Sequence, residues 1–209
     1  MAVVQIGSQY WSKENLAVES FQDGTPITEV TSSDQWLECA QTETPAWCYY
    51  NYDPSNEEEY GKLYNYYAIS SSADISPIGW RVPTLSDWNT LITYLGGTKV
   101  AGFKLKNTTN WQTLDRSNPN GNNQSQFTSN PSGFVKEIGE FWDFGWSANY
   151  WSTTTASAEA VESIRLYWQN RSALNLDAHK HMGLAVRLVY EGNSGIYTGS
   201  LGYNPNMDF

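Results

Sequence analysis

Short motifs rich in aromatic residues and glycine recur along most of this 209-residue chain, and none of them exceeds ten residues. Gly, Asn, Ser and Thr are abundant between the motifs, which is typical of a fold with many loops. The motifs span residues 21–27, 45–51, 60–68, 79–88, 150–154 and 183–189. The sequence therefore favours short structural elements joined by structured loops.

The composition predicts a folded chain that does not bind nucleic acid. Aromatic residues make up 15% of the chain and charged residues only 16%, whereas disorder requires few aromatic residues and a high net charge. The length suits one domain with a substantial core. The formal net charge of −10 repels nucleic-acid phosphates, and no Lys/Arg cluster offsets it locally.

Two short helices have recognisable start signals. Residues 31–34 offer N-caps for the first helix, and Thr84 can cap the second with Asp87 as a capping-box partner. Gly96 and Gly97 end the second helix. Its apolar residues fall three and four positions apart, as one buried stripe requires; they are Leu85, Trp88, Leu91, Ile92 and Leu95.

Alternating apolar residues predict half-buried antiparallel strands near both ends of the chain. The predicted strands lie within residues 1–18, 150–154, 163–168 and 184–189. Residues 49–59 and 107–133 have the composition of loops. We therefore predict an α+β fold with a small irregular antiparallel sheet, one or two short helices and long loops.

We expect one domain over residues 1–191 and an extended C-terminal tail over residues 192–209, which docks on a neighbouring subunit or stays mobile. The chain has two cysteines, Cys39 and Cys48, at a spacing that matches no metal-binding pattern. They form either a disulfide that closes a small loop or two buried free thiols.

In order and spacing, the motifs resemble the Fibrobacter succinogenes major paralogous domain family over roughly residues 3–190. The most specific part is Gly79-Trp80-Arg81-Val82-Pro83-Thr84, which precedes an amphipathic helix. The resemblance implies a C-type-lectin-like fold, related to formylglycine-generating enzyme domains and to variable proteins diversified by retroelements. Members are mainly bacterial surface and secreted proteins, and similar domains occur in phage proteins. The resemblance thus implies a binding module.

We expect no enzymatic activity and no catalytic residues. Formylglycine-generating enzymes use a late pair of cysteines that binds copper, whereas both cysteines here are early. Nucleophile-elbow, phosphate-loop and zinc-protease motifs are also absent from the sequence. No pair of carboxylates is marked by the sequence as a glycosidase acid and base.

Two groups of residues are candidate metal ligands. His179 and His181 point to the same side if they lie on a strand, but they equally fit a solvated loop. Asp53 and Glu57–Glu59 could contribute to a calcium site or form a solvated acidic turn. We predict no cofactor, with calcium as the open alternative.

The segment from residue 146 to residue 181 mixes large aromatic side chains with Asn, Arg, Asp and His. Tyr, Trp and Arg are common energetic anchors of interfaces, and Asn and Asp add directional hydrogen bonds. The alternative is a hydrophilic hairpin between framework strands. The candidate ligand-binding residues are Trp146, Asn149, Tyr150, Tyr167, Trp168, Asn170, Arg171, Asn175, Asp177, His179 and Lys180. In lectin-like relatives this late segment forms the ligand face.

The amino terminus has neither a basic region nor the apolar stretch of a secretory signal, and the sequence contains no apolar run of about 18 residues. We therefore expect no membrane insertion and favour a phage virion protein, such as a tail or head fibre tip. Its expected partners are a bacterial surface glycan or protein and other virion proteins. Alternatives are a capsid or tail decoration protein without a receptor, or an extracellular bacterial surface protein whose leader was removed. Homo-oligomers stay open.

Overall fold

The computed structural model describes residues 1–112 and 121–192, in which short strands alternate with short helices. The strands are β1 (Val3–Ile6), β2 (Gln9–Ser12), β3 (Thr28–Glu29), β4 (Ala46–Cys48), β5 (Leu63–Tyr64), β6 (Trp80–Arg81), β7 (Phe134–Val135), β8 (Phe141–Trp142), β9 (Ser147–Thr155), β10 (Ala160–Tyr167), β11 (Ala173–His179) and β12 (Val189–Tyr190). The α-helices are α1 (Ser33–Gln41), α2 (Glu57–Tyr60), α3 (Tyr66–Ile69), α4 (Leu85–Tyr94) and α5 (Thr98–Leu105). The predicted α+β class is confirmed.

Helices α1 and α4 begin at the predicted caps. In α1 the Ser32 hydroxyl accepts a hydrogen bond from the Gln35 amide at 3.3 Å. In α4 the Thr84 hydroxyl accepts from the Asp87 amide at 3.2 Å, and the Asp87 carboxylate accepts from the Thr84 amide at 2.7 Å. These reciprocal bonds satisfy amides that would otherwise lack partners at the helix start.

The prediction of one or two helices was too low. Helices α2 and α3 have only four residues each, which is too short to show a helical period. Helix α5 has a glycine in its middle, Gly102, and glycine weakens the sequence signal of a helix. None of the described helices is long and apolar enough to span a membrane.

The first and last strands of the described chain lie in one sheet, with the order β1-β2-β12-β6. Val189 of β12 pairs with Trp11 of β2 and with Arg81 of β6. The predicted strand at residues 184–189 is therefore only partly correct. Residues 184 and 185 instead make single bridges to Tyr64 and Tyr150, because this segment runs between sheets.

The other strands form the sheets β11-β10-β9, β3-β4-β5 and β7-β8. The predicted strands at 150–154 and 163–168 fall in β9 and β10, although the second ends at Tyr167. Residues 49–59 contain two 3₁₀ turns and the start of α2, so they are more regular than the predicted loop. Residues 113–120 of the predicted loop and residues 193–209 of the predicted tail lie outside the described part of the chain.

Buried tryptophans connect segments that are distant in sequence. Trp88 packs against Trp11 at 4.7 Å between ring centroids, and its indole N–H donates to the Trp151 carbonyl at 3.2 Å. The Trp36 indole N–H donates to the His181 carbonyl at 2.9 Å. Burying a large ring with its N–H paired adds apolar contact without an unsatisfied donor. The tryptophans predicted to lie in the core, Trp11, Trp36, Trp80, Trp88 and Trp111, are all buried.

Arg187, in the last family motif, is a buried cation that joins three parts of the fold. Its guanidinium donates to the carbonyls of Ser12 and Phe127 at 2.9 and 2.8 Å. It also donates to the Thr128 carbonyl at 3.0 Å and to the Asn15 side chain at 2.6 Å. The first hairpin, the loop before β7 and the last motif therefore share one polar centre.

Cys39 and Cys48 are both free thiols in buried positions, which is the second of the two alternatives. Burial raises the pKa of the Cys48 thiol well above its usual value. The native state therefore keeps this proton at a pH at which the unfolded chain releases it.

We expect the wild type to lose stability relative to Cys48→Ala as the pH rises above about 9. The unfolded state binds fewer protons than the native state there, so the free energy of unfolding falls by about 1.4 kcal/mol per pH unit for this one group. Urea denaturation of both proteins at several pH values from about 7 to about 11 gives the difference between their free energies of unfolding. The contributions of the other ionisable groups cancel in this difference. Parallel curves across this range would contradict the prediction.

Candidate functional site

The sheet β11-β10-β9 carries most of the predicted binding residues. Ile164 at the centre of β10 lies opposite Asn175 of β11 and Tyr150 of β9. The face that contains Ile164 and Tyr150 is covered by α4, where Trp88 lies 5.5 Å from Tyr150 between ring centroids. On this face of the sheet, the side chains of β9 and of the centre of β10 are therefore buried beneath α4.

Two of the predicted binding residues, Tyr150 and Asn149, lie in the interior of the fold and not on its surface. Tyr150 is fully buried, and its hydroxyl bonds with the Ser129 hydroxyl at 2.6 Å. Asn149 is also buried and donates to the Ser147 hydroxyl at 2.7 Å. The reason is that β9 is covered on both faces from Ser147 to Ser152, so a ligand cannot reach these side chains.

Five of the predicted residues come together where β10 turns into β11. We call this group, Trp146, Tyr167, Trp168, Asn170 and Arg171, the turn site. Trp146 packs edge-to-face on Trp168 at 4.8 Å between centroids, and the Trp168 amide donates to the Trp146 carbonyl at 2.9 Å. The aromatic members are half-buried, while Asn170 and Arg171 are exposed. The turn site therefore has an apolar base and a polar, accessible rim.

Helix α5 fixes the backbone of the turn site. The Lys106 ammonium, just after α5, donates to the carbonyls of Tyr167 and Asn170 at 3.0 and 2.7 Å. The Phe103 amide donates to the Arg171 carbonyl at 3.0 Å. The Arg171 guanidinium also lies 4.4 Å from the Phe103 ring centroid, in the range of a cation–π contact. The ring of Phe103 therefore holds the exposed Arg171 side chain in position.

Two cations, Lys106 beneath the turn site and Arg171 within it, lie close together in an otherwise acidic protein. Burial, and to a lesser degree the charge of Arg171, lowers the pKa of Lys106 to about 8, so this lysine is still mainly protonated at neutral pH. Neither Lys106 nor Arg171 forms an ion pair within residues 1–112 and 121–192. The formal charge of the whole chain is −10. An anionic or strongly hydrogen-bonding group would therefore meet a favourable local charge here.

Sequence reasoning missed the residues that support the turn site. Arg165 forms an ion pair with Asp143, and its guanidinium lies 4.8 Å from the Tyr167 ring centroid. Arg165 precedes Tyr167 by two positions on β10, so the two-residue period of a strand could have indicated their shared face. Lys106 and Phe103 gave no such signal, because α5 was not predicted.

Trp142 was also not predicted from the sequence to be an exposed aromatic residue. It lies on β8 and is 47% exposed, and the Lys136 ammonium lies 3.5 Å from its ring centroid. The next residue, Asp143, is the ion-pair partner of Arg165. An exposed indole offers a stacking surface. Nothing in the sequence indicated it, because the Phe141-Trp142 pair resembles the aromatic motifs that form the core.

The remaining predicted residues do not join the turn site. Asn175 and Asp177 are exposed along β11, and His179 and Lys180 lie at its far end. A seven-residue strand is about 20 Å long, so the two ends of the hairpin cannot contact one small group together. Lys180 instead lies 5.5 Å from the Tyr66 ring centroid.

The candidate metal ligands are engaged with protein groups. The rings of His179 and His181 lie 4.6 Å apart, and the His181 amide donates to His179 Nδ1 at 3.2 Å. Glu57 pairs with Lys62 at 2.8 Å, and Asp53 accepts from the Ser55 amide at 2.9 Å. In the part of the chain that the structure describes, no three His, Cys, Asp or Glu side chains are grouped as metal ligands. Glu57–Glu59 line an open polar cleft of about 490 Å³.

We expect Gly102→Ala to displace the turn site. An added methyl group would overlap the Ser172 carbonyl oxygen, so backbone atoms must move. Alanine normally stabilises a helix by about 1 kcal/mol relative to glycine. Here overpacking is expected to lower the free energy of unfolding by about 1–3 kcal/mol. Urea denaturation measures the change, and Lys99→Ala on an exposed position of α5 is the control. A stabilised Gly102→Ala variant would show that α5 does not hold the turn.

Fold and site together define an α+β domain in which one hairpin turn presents half-buried aromatic rings beside an exposed amide and an exposed guanidinium. The chain belongs to the Fibrobacter succinogenes major domain family, whose sequence model matches residues 4–190. The match ends at β12, the strand that completes the first sheet. Neither the comparison with curated proteins nor the comparison with solved structures gave a match. The C-type-lectin-like assignment of the fold therefore stays a prediction.

Proposed function

We propose that this protein is a non-enzymatic ligand-binding domain that recognises a bacterial surface glycan or protein through the turn site. The observation that carries the proposal is the exposed Arg171, which stacks on Phe103 and forms no ion pair in the described chain. A guanidinium held in one orientation can bind a carboxylate or phosphate oxygen with little loss of side-chain entropy.

The neighbouring groups suit a ligand that is partly apolar and partly polar. Tyr167 and Trp168 provide aromatic surface next to the amide of Asn170. Aromatic rings pack on the apolar faces of sugars and peptides, and the amide and guanidinium supply directional hydrogen bonds. Acidic glycans and acidic peptide segments both meet this description, so both belong in the first screen.

We further propose that the domain acts at the tip of a phage tail or head fibre, in contact with other virion proteins. The family resemblance supports this proposal, since similar domains occur in phage proteins as well as on bacterial surfaces. An antibody against the domain should label purified particles. Labelling of bacterial cells without particles would instead favour the bacterial surface protein.

The binding proposal is tested with fluorescently labelled protein on a panel of bacterial cells and a glycan array, with and without chelator. We expect saturable binding to a subset of cells. Binding that persists in chelator would show that the ligand is bound without calcium, whereas binding that is lost in chelator would show that calcium is required. Folded protein that binds to no cell and no glycan would overturn the proposal and favour a capsid or tail decoration protein.

A further inference from the structure

An apolar groove of about 280 Å³ lies between residues 18–22 and residues 75–78, away from the residues of the turn site. Its two walls are tied together: the Gln22 amide donates to the Asp74 carbonyl at 2.9 Å, and the Gln22 side chain donates to the Ser76 carbonyl. Phe21 and Ile75 are buried in its base. The groove is therefore part of the folded framework rather than a gap between loose loops.

Two features of the groove are unusual for a surface that faces only water. Ile78 at its edge is 85% exposed. Ser76, which also lines the groove, is fully buried, and its hydroxyl has no hydrogen-bond partner among the described residues. Buried hydroxyls are normally paired. An apolar segment laid in the groove would cover Ile78 and remove its side chain from water.

The described chain ends next to this groove. The Glu191 amide donates to the Gly79 carbonyl at 2.8 Å, and the Glu191 carboxylate pairs with Arg81 at 3.0 Å. Gly79 directly follows Ile78. The last described residues therefore lie beside the groove edge, and the 17 residues from 193 to 209 are long enough to span up to about 55 Å.

The composition of residues 193–209 suits an apolar groove. Ile196, Leu201, Met207 and Phe209 are apolar, and Asp208 is the one charged side chain. The groove is lined by uncharged residues as well. Ile196 follows Glu191 by five residues, a reach of about 17 Å. Moving an apolar side chain from water into the groove is favourable in free energy.

We propose that this groove is the docking site for residues 193–209 of the same chain. Docking covers Ile78 and ties the C-terminal segment to the β6 side of the first sheet. The occupant is set by proximity, since Glu191 is bonded beside the groove and a segment of the same chain is present there at high effective concentration.

The test uses the full chain with the photoreactive residue p-benzoyl-phenylalanine at position 20, an exposed position on the groove rim. After irradiation, mass spectrometry should find crosslinks to peptides from residues 193–209 within single chains. Ile78→Asp should reduce their yield by about tenfold, because covering the isoleucine is worth at least that factor. Ile138→Asp, the same change at another exposed isoleucine, should leave the yield unchanged.

Three results would overturn the proposal. They are crosslinks that avoid residues 193–209, a yield that is equal in Ile78→Asp and wild type, and crosslinks that occur only between two chains. The last result would assign the groove to a second copy of the protein. Ile78 is exposed, so Ile78→Asp should fold normally, which urea denaturation checks. Binding through the turn site is measured separately, so the two proposals can fail independently.

Discussion

Replacing Arg187 with methionine is expected to lower the free energy of unfolding by about 3 kcal/mol or more. Methionine has a similar length but no donor, so the carbonyls of Ser12, Phe127 and Thr128 lose their partners. Each buried carbonyl left without a donor costs about 1–3 kcal/mol. Arg187 is only 2% exposed, so its charge is desolvated and burial lowers its pKa; relief of that desolvation cost offsets part of the loss.

Urea denaturation followed by tryptophan fluorescence measures this change. Arg171→Met removes the same group from an exposed position and should alter the free energy of unfolding by no more than about 0.5 kcal/mol. Arg187→Lys should fall between wild type and Arg187→Met, because one ammonium cannot reach all the acceptors of the planar guanidinium. An Arg187→Met protein as stable as wild type would show that the hydrogen bonds of Arg187 do not hold these segments together.

Changing the exposed rim of the turn site is expected to weaken ligand binding about 100-fold or more. The variant is Asn170→Ala combined with Arg171→Ala, and both side chains are exposed. Asn170 and Arg171 are expected to lie at the centre of the bound interface, where truncating one residue costs about 2 kcal/mol. Since about 1.4 kcal/mol corresponds to a factor of ten, the loss of both exceeds the roughly 2.8 kcal/mol of a factor of 100. Because Arg171 contributes a charge, the remaining affinity should also depend less on salt.

The matched control is Asn89→Ala combined with Lys99→Ala, which removes one amide and one positive charge from exposed positions on α4 and α5. This control should bind within about twofold of wild type, since scattered surface changes are nearly neutral. A third variant, Asn175→Ala with Asp177→Ala, tests whether the ligand extends along β11. Equal losses in the control and the turn variant would show a general charge effect rather than a site.

Local sequence signals predicted the parts of the fold that depend on local chemistry. The caps at Ser32 and Thr84 set the starts of α1 and α4, because a short polar side chain satisfies the first free amides of a helix. The family resemblance, carried by ordered motifs, is confirmed over residues 4–190, whereas the binding class that it implies stays a prediction. Helix α5 was missed because Gly102 weakens its pattern, yet that glycine allows the turn to approach the helix.

The candidate site was only partly predictable because burial depends on packing between distant segments. Tyr150 is of a residue type that is common in binding sites. Because β9 is covered on both faces, its sequence shows no alternation of apolar and polar residues that would mark Tyr150 as buried. Lys106 supports the turn from more than 60 positions away in sequence. No local pattern indicates that a lysine will lie beneath a particular hairpin.

The most direct test of the account is a saturation titration of labelled protein on a bacterial strain that the cell panel identifies. Wild type should bind saturably, the Asn89→Ala/Lys99→Ala control should bind equally, and the Asn170→Ala/Arg171→Ala variant should need about 100-fold more protein for half-saturation. Equal half-saturation in the turn variant and wild type, with both folded, would contradict the claim that the turn site binds the ligand.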